Sequence, residues 1–193
     1  MGGTNLIDDS EFRTYSQSGS CWTYANGYCG TTFGYLNQNG IMGANSPSNN
    51  GTEGYLNIAY QSLKDKLKPD TYYTFSFYAR GFEGSSVESN NTPYNFKGRI
   101  ATYVYPNVGT EVADNAKIFT LTNDWKRYSY TFKTKSNLDI SSNHGCLFRM
   151  LKTVENGTTY YSCAYISMPK LEEGTMATAW DTTDVDMKSY VTQ

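Results

Sequence analysis

The side chains that most often perform catalysis are few in this sequence and are not grouped. His144 is the single histidine and lies in a predicted turn, "SSNHGC", and the chain contains no "GxSxG" motif. A nucleophile activated by a histidine is therefore not expected. A glycosidase needs two carboxylates across a cleft, but the adjacent Glu172 and Glu173 would face opposite sides of a strand or be solvated in a turn. We predict that the chain is not an enzyme.

The cysteines do not form a recognisable metal site either. The segment "CWTYANGYC" lacks the two-residue spacing of a zinc knuckle. The four cysteines could form two disulfides in a pairing that spacing does not reveal, but a chain of 193 residues can bury a sufficient core without them. We expect thiols at Cys21, Cys29, Cys146 and Cys163.

Two segments place tyrosine and arginine on one side of a strand. Side chains two apart along a strand share a face, and this alternation separates a core face from an outward face in "YYTFSFYAR". The core face has Tyr73, Phe75, Phe77 and Ala79, and the outward face has Thr74, Ser76, Tyr78 and Arg80.

The same alternation occurs in "GRIATYVYP". The aliphatic set Ile100, Thr102 and Val104 is predicted to face the core, which leaves Arg99, Ala101, Tyr103 and Tyr105 on the other face. We expect the outward faces of these two strands to form one surface on neighbouring strands.

Composition limits the classes of partner. Aromatic residues make up 16% of the chain and include 18 Tyr, whereas charged residues make up only 18%, a balance typical of β-rich proteins. The net charge of −2 leaves no excess of cations for phosphates, so neither nucleic acid nor a membrane is expected as a partner. The start, "MGGTNLIDD", has no signal-peptide pattern, and we expect synthesis in a cytoplasm.

Seven strand-like runs are separated by clusters of Gly, Pro, Asn or Asp. Adding "TNLI" and "ATAW" gives about nine strands, and their alternation predicts an all-β fold, an antiparallel β-sandwich of two packed sheets. We expect one domain over residues 1–181 and a C-terminal tail over residues 182–193. The segment Asn37–Gly54, dense in Asn, Gly and Ser, is predicted to be a long loop.

The later runs differ in how clearly they define a core face. In "WKRYSYTFKT" the residues with core spacing are Tyr128, Tyr130 and Phe132, with Arg127, Ser129 and Thr131 turned away. In "CLFRMLKT" the set Cys146, Phe148 and Met150 competes with Leu147, Arg149 and Leu151.

Four blocks carry a resemblance to a known family, and they are "TNLIDDSEF", "LKPDTYYTFSFYARG", "DWKRYSYTFKT" and "YISMPKLEEGTMATAWDTTDVD". In this order they resemble the successive signatures of jelly-roll domains in bacteriophage virion proteins. Those domains are similar to carbohydrate-binding modules of the galactose-binding-like superfamily. The resemblance spans nearly all of the chain, and its closing block, with "PKLE-G" followed by "ATAW", is the most specific part.

The closing block has a consistent physical interpretation. Pro169 suits a strand end or edge, Leu171 can anchor in the core, and Gly174 permits a turn. Trp180 is then expected to be buried at the last corner of the sandwich. We expect this block to close the domain without contributing chemistry.

The resemblance also implies a possible structural calcium ion between the first and last strands. Asp9, Glu11 and Asp181 could contribute oxygen ligands. The acid that follows the phenylalanine of "SEF" in the family is replaced here by Arg13, which counts against the site. We expect solvated carboxylates and no cofactor.

The outward tyrosines and arginines fit two kinds of partner. In the family that the chain resembles, a sugar ring stacks on Tyr or Trp while polar side chains bond its hydroxyls, and Tyr and Arg also anchor protein interfaces. The candidate binding residues are Tyr78, Arg80, Arg99, Tyr103 and Tyr105. Trp22 and Tyr24 are further loop candidates, although ordinary core or rim positions are the simpler expectation for them.

The resemblance therefore implies a non-catalytic structural protein on the outside of a phage particle, made in the host cytoplasm and present in multiple copies. Its expected partners are other capsid or tail subunits and, through weak adhesion, host-surface glycans. The alternatives are a receptor-binding tail protein proper and an accessory module or glycosidase acting on bacterial polysaccharide. The sequence does not distinguish a capsid location from a tail location.

Overall fold

A computed structural model describes residues 3–12, 22–24, 41–44, 55–83, 98–104, 116–141, 145–151, 153–160 and 162–181. None of these residues is helical, so no helix in the described ranges is long and apolar enough to cross a membrane. The strands are β1 (Thr23–Tyr24), β2 (Ile41–Ala44), β3 (Tyr55–Ser62), β4 (Tyr72–Glu83), β5 (Arg99–Val104), β6 (Ala116–Thr120), β7 (Lys126–Lys133), β8 (Gly145–Leu151), β9 (Thr153–Glu155), β10 (Thr158–Tyr160) and β11 (Ser162–Glu173).

Nine of these strands form two sheets. The five-stranded sheet has the order β1-β3-β8-β5-β6, the four-stranded sheet has the order β2-β11-β4-β7, and β9 and β10 form a separate hairpin. The pairings are antiparallel throughout. The predicted all-β antiparallel sandwich is confirmed.

Large aromatic side chains fill the space between the two sheets. Tyr73, Phe75, Phe77 and Ala79 of β4 are buried in one core cluster, as their alternation predicts. The ring of Phe148 on β8 lies 5.6 Å from that of Phe75 and 5.2 Å from that of Phe77, measured between centroids. The inner faces of the two sheets therefore meet directly.

The remaining core faces follow the alternation with one exception. On β7 and β5 the predicted core residues Tyr128, Phe132, Ile100 and Thr102 are buried, and Tyr130 is partly buried against the same core. Ala101, predicted to face outward, is buried instead. On β8 the sequence left two sets of residues as candidates for the core face. Phe148 and Met150 of the first set are fully buried, so that set faces the core. The side chains of Val104, Cys146 and Leu147 lie outside the described residues.

The expected first strand, "TNLI", is wrong. Residues 3–7 belong to no strand. A single backbone bond joins Leu6 N to Leu171 O at 2.8 Å. The Asn5 side chain replaces the next bond, since its Oδ1 accepts from Leu171 N at 3.1 Å.

The expected strand "ATAW" is wrong as well, because residues 174–181 cross the outer face of the four-stranded sheet without joining a ladder. Gly174 has a φ of +126°, which permits the predicted turn. The expected loop Asn37–Gly54 contains β2 at the sheet edge. The domain boundary at residue 181 stays a prediction, since residues 182–193 lie outside the described ranges.

Candidate functional site

The predicted surface of tyrosines and arginines is divided between the two sheets. Tyr78 and Arg80 lie on the outer face of β4 in the four-stranded sheet, whereas Arg99 and Tyr103 lie on β5 in the five-stranded sheet. Because the inner faces of the sheets meet in one core, the outer faces of β4 and β5 point in opposite directions. The expectation of one surface on neighbouring strands is wrong. The side chain of Tyr103 and all of Tyr105 lie outside the described residues.

Tyr78 instead lines a groove on the outer face of the four-stranded sheet. The groove has a volume of about 430 Å³, within the range of small-ligand sites. Its wall combines residues from the edge strand β2, from β4 and β11, and from the turn before β7; they are Ile41, Tyr78, Trp125, Ser167 and Met168. These five residues, together called the groove below, form an almost entirely apolar surface.

The large groove side chains are accessible to solvent. Trp125 and Met168 each expose 40% of their surface, and Tyr78 and Ile41 are partly exposed. An exposed indole and phenol beside each other provide flat apolar faces on which a ring can stack. Exposed apolar side chains that are grouped rather than scattered are typical of a binding surface.

A β-bulge places Met168 in the groove. The register of β11 against β4 shifts between Ser167 and Lys170, and Met168 has a φ of +51°. Strict alternation would turn residue 168 toward the core, but the extra residue of a bulge re-aims its side chain. Pro169 has no N–H to donate and occupies the bulge, rather than the strand end or edge that the sequence suggested.

A segment of the chain covers the outer face on one side of the groove. Residues 174–181, here called the strap, run across β4 and β7. Thr74 Oγ1 donates to Gly174 O at 2.9 Å, and Thr131 Oγ1 donates to Thr175 O at 3.3 Å. Thr74 and Ser76 are consequently buried, although alternation alone predicts that they face outward.

A buried ion pair fixes the strap to β11. Lys170 and Glu172 are almost completely buried, and Lys170 Nζ lies 3.5 Å from Glu172 Oε2. Thr178 donates to Glu172 twice, through its backbone N at 2.7 Å and its hydroxyl at 2.5 Å. Gly3 N also donates to this carboxylate, at 3.1 Å. Of the two alternatives for Glu172 and Glu173, the strand is the observed one, with Glu172 buried beneath the strap and Glu173 exposed on the opposite side.

The lysine of this pair also holds the far end of the strap. Lys170 Nζ donates to Thr178 Oγ1 at 3.0 Å and to Ala179 O at 2.8 Å, and it lies 3.0 Å from Asp181 Oδ1. Trp180, expected to be buried, is only partly buried.

Arg127 connects the strap to the groove. Its Nη2 donates to Thr178 O and, at 3.0 Å, to Ser76 Oγ. Its guanidinium carbon lies 5.9 Å from the centroid of the Tyr78 ring, within cation–π range. One wall of the groove is thus held by a cation that is itself anchored to the strap.

The other side of the groove ends at a second buried cluster. Phe82 and Cys163 are buried there, with Tyr165 packed against them. Arg80 lies above this cluster, with its guanidinium carbon 4.4 Å from the Phe82 ring centroid and 6.0 Å from that of Tyr165. The open part of the outer face therefore lies between the strap and this cluster.

Cys163 is a thiol, as predicted; Cys21, Cys29 and the side chain of Cys146 lie outside the described residues. Burial raises the pKa of Cys163 to about 12. We expect the native protein to resist alkylation of Cys163 by iodoacetamide at pH 8, because the thiolate is the nucleophile, and unfolded protein to react readily. Peptide mass mapping measures this, and labelling of native Cys163 as fast as in urea would contradict it.

The same burial makes stability depend on pH. In the folded protein the pKa of Cys163 is raised from 9.0 to about 12. The contribution of this thiol to the free energy of unfolding is therefore fully present below pH 9 and is lost as the pH rises from 9 toward 12. Urea melts of the unmodified chain and of Cys163→Ala should converge across this alkaline window.

The described residues do not assemble the calcium ligands that the resemblance implies. Among them, no three His, Cys, Asp or Glu side chains are grouped as a metal site would require. The carboxylate of Asp181 contacts Lys170, and Asp9, expected to be solvated, is buried instead. Trp22, a loop candidate in the sequence, is buried in the core and donates from Nε1 to Asp9 O at 2.9 Å; the side chain of Tyr24 is not among those described.

A second cavity, of about 480 Å³, lies at the other end of the molecule near Gly3 and Leu6. Its two lysines already have carboxylate partners. Lys66 pairs with Asp8, and Lys68 pairs with Glu173 at 2.6 Å. Both lysines of this cavity are therefore already paired, and neither needs an anionic ligand to neutralise its charge.

Sequence reasoning found Tyr78 but missed three other large groove residues. Trp125 could have been found, because it lies two positions before Arg127 and shares its outward face. Met168 depends on the bulge, and Ile41 on a strand inside the predicted loop.

No family model and no curated protein matches the chain. Among solved structures, the CBM22-1 xylan-binding domain of Paenibacillus barcinonensis Xyn10C is 11% identical, with 91% of this chain and 98% of that one covered and a TM-score of 0.47. The tripod (BppUct-A-L) from the baseplate of bacteriophage Tuc2009 is 14% identical, with 94% of this chain and 59% of that one covered and a TM-score of 0.48. The Stig cyclase Fisc from Fischerella sp. TAU is 14% identical, with 92% and 100% covered and a TM-score of 0.49.

Proposed function

We propose that this chain is a non-catalytic jelly-roll module that binds a glycan in the groove between the strap and the Phe82–Cys163 cluster. The observation that carries this proposal is that the partly exposed Tyr78 and the exposed Trp125 both line an apolar groove of about 430 Å³. A pyranose ring has one apolar face that can stack on an aromatic side chain while polar neighbours bond its hydroxyls.

The polar neighbours of the groove are suited to hydroxyl groups. Ser167 lines the groove, and Arg127 next to Tyr78 donates to Ser76 and the strap through Nη2 alone. The other guanidinium nitrogens of Arg127 have no recorded partner among the described residues. They can therefore donate to a bound sugar.

The strap and the buried cluster limit the length of the groove. Thr74 and Ser76 are covered on one side and Phe82 on the other, so Tyr78 and Arg80 are the outward residues of β4 left partly open between them. At about 3.3 Å per strand residue, this opening accommodates a short stretch of sugar. We expect a weak single-site affinity, since few contacts offset the cost of ordering the ligand.

The test is to replace the two rings separately. Tyr78→Ala and Trp125→Ala should each weaken glycan binding about tenfold or more, which is the loss of one stacked ring, and leave the melting temperature nearly unchanged. Tyr72→Ala is the matched control, because Tyr72 is an exposed tyrosine of the same strand outside the groove. Equal binding by all three variants on a glycan array would refute the groove as the site.

The second part of the proposal concerns where the module is located. The four sequence blocks support a module on the exterior of a phage particle, made in the host cytoplasm and displayed in multiple copies. Avidity would then turn weak sites into firm adhesion to the host surface. The measurement is whether antibody against the chain labels intact virions; particles that carry none of it would contradict this part alone.

A contact with another virion subunit is the second candidate for the groove. Trp, Tyr and Met are enriched at protein interfaces, and the groove contains all three. Tyr78→Ala with Trp125→Ala would then release the chain from purified virions, whereas a glycan site would leave it attached and abolish binding to the host surface.

A further inference from the structure

Two arginines flank the groove without a carboxylate partner among the described residues. Arg80 and Arg127 form no ion pair with a described carboxylate, and the same holds for the exposed Lys64, Lys117 and Lys126. Arg80 follows Tyr78 by two positions on the same face of β4, which places it about 7 Å along the strand. The groove is therefore flanked by positive charge along β4 and across it on β7.

The guanidinium of Arg80 packs on an aromatic ring but has no hydrogen-bond acceptor among the described residues. Its Nε is buried and has no hydrogen-bond partner in the described part of the chain. Its guanidinium carbon is fixed above Phe82, 4.4 Å from the ring centroid. The two Nη atoms form no hydrogen bond with the described residues and, unlike Nε, are accessible to solvent. They are free to contact solvent or a ligand.

The acidic side chains nearby are engaged elsewhere or lie outside the groove. Glu172 is buried with Lys170, and Asp181 contacts the same lysine. Asp124 is exposed directly before Trp125 and, like Arg80 and Arg127, lies outside the five residues that line the groove. None of these carboxylates contacts Arg80 or Arg127.

We propose that the groove selects an anionic glycan, whose carboxylate or phosphate substituent pairs with Arg80 while its ring stacks on Tyr78 and Trp125. A planar guanidinium matches a carboxylate or phosphate through two parallel hydrogen bonds. A guanidinium already positioned on an aromatic ring loses less conformational freedom on binding than a flexible lysine. This inference rests on the proposed glycan binding and adds the class of sugar.

The experiment uses the full chain on an array that carries neutral oligosaccharides, oligosaccharides containing uronic acids, and oligosaccharides with phosphate substituents. We expect the bound glycans to be acidic and their binding to weaken in 1 M salt, which screens charge. The uronic-acid and phosphate groups separate the two sources of negative charge. Binding confined to neutral glycans would overturn this inference and leave the proposed function intact, and binding to none would overturn both.

Variants of Arg80 test its role directly. Arg80→Gln should reduce binding of the acidic glycans about tenfold or more and remove most of its salt dependence, whereas Arg80→Lys should retain part of both. Lys117→Gln is the matched control: it removes the same charge from an exposed site on β6 of the other sheet. If Arg80→Gln keeps its melting temperature and binds acidic glycans as the unmodified chain does, the inference is wrong.

Discussion

Replacing Glu172 by alanine is expected to lower the free energy of unfolding by about 3–5 kcal/mol, the range for breaking a buried ion pair from one side. The substitution leaves the charged Lys170 buried, with the half-exposed Asp181 as its remaining carboxylate partner. It also leaves Thr178 N and Gly3 N without their acceptor. Urea unfolding followed by circular dichroism measures the loss.

The next residue provides a matched control. Glu173 is exposed and pairs with the exposed Lys68 at 2.6 Å, and surface pairs contribute about 0–1 kcal/mol. Glu173→Ala should therefore change the free energy of unfolding little. Equal effects of the two substitutions would mean that the strap is not held by Glu172.

A double variant separates two effects of Glu172→Ala, the loss of its attraction to Lys170 and the cost of leaving Lys170 buried without it. Adding Lys170→Met to Glu172→Ala removes the buried cation that has lost its buried carboxylate and keeps only the exposed Asp181 as a partner, so we expect part of the lost stability to return. If the double variant is less stable than Glu172→Ala alone, then Lys170 stabilises the strap chiefly through Ala179 and Asp181.

Replacing Phe148 by alanine is the second large effect expected, also about 3–5 kcal/mol for truncating a buried aromatic residue. The ring is completely buried and contacts Phe75 and Phe77 of the opposite sheet and Trp22 at a centroid distance of 6.3 Å. For a chain of this size the melting temperature should fall by about 6–20 °C.

The result also tests the orientation of β8. Phe148→Leu keeps most of the buried volume and should cost clearly less than Phe148→Ala. A melting temperature unchanged by Phe148→Ala would mean that the competing set, with Arg149 and Leu151, faces the core instead.

The strands and their core faces could be predicted because alternation is a local property. Tyr73, Phe75 and Phe77 are buried as the pattern requires. Which strands become neighbours is not local, so the assignment of β4 and β5 to one surface failed.

The outer face of the four-stranded sheet shows a second limit of sequence reasoning. Thr74, Ser76 and Glu172 follow the polar half of the alternation, yet all three are buried because the strap covers them. Alternation separates the two faces of a strand but does not say what lies on the outer one. Met168 reaches the groove only because of a β-bulge, and the spacing of residues in the sequence does not predict that bulge.

The central claim is that a glycan binds in the groove at Trp125, and the indole N–H signals of the three tryptophans test it most directly. The chain would be labelled with nitrogen-15 and titrated with the glycan that binds most strongly on the array. We predict that the Trp125 signal shifts with increasing glycan, whereas the signal of Trp22, buried and bonded to Asp9 O, stays in place. A glycan that binds while the Trp125 signal remains unchanged would contradict the claim.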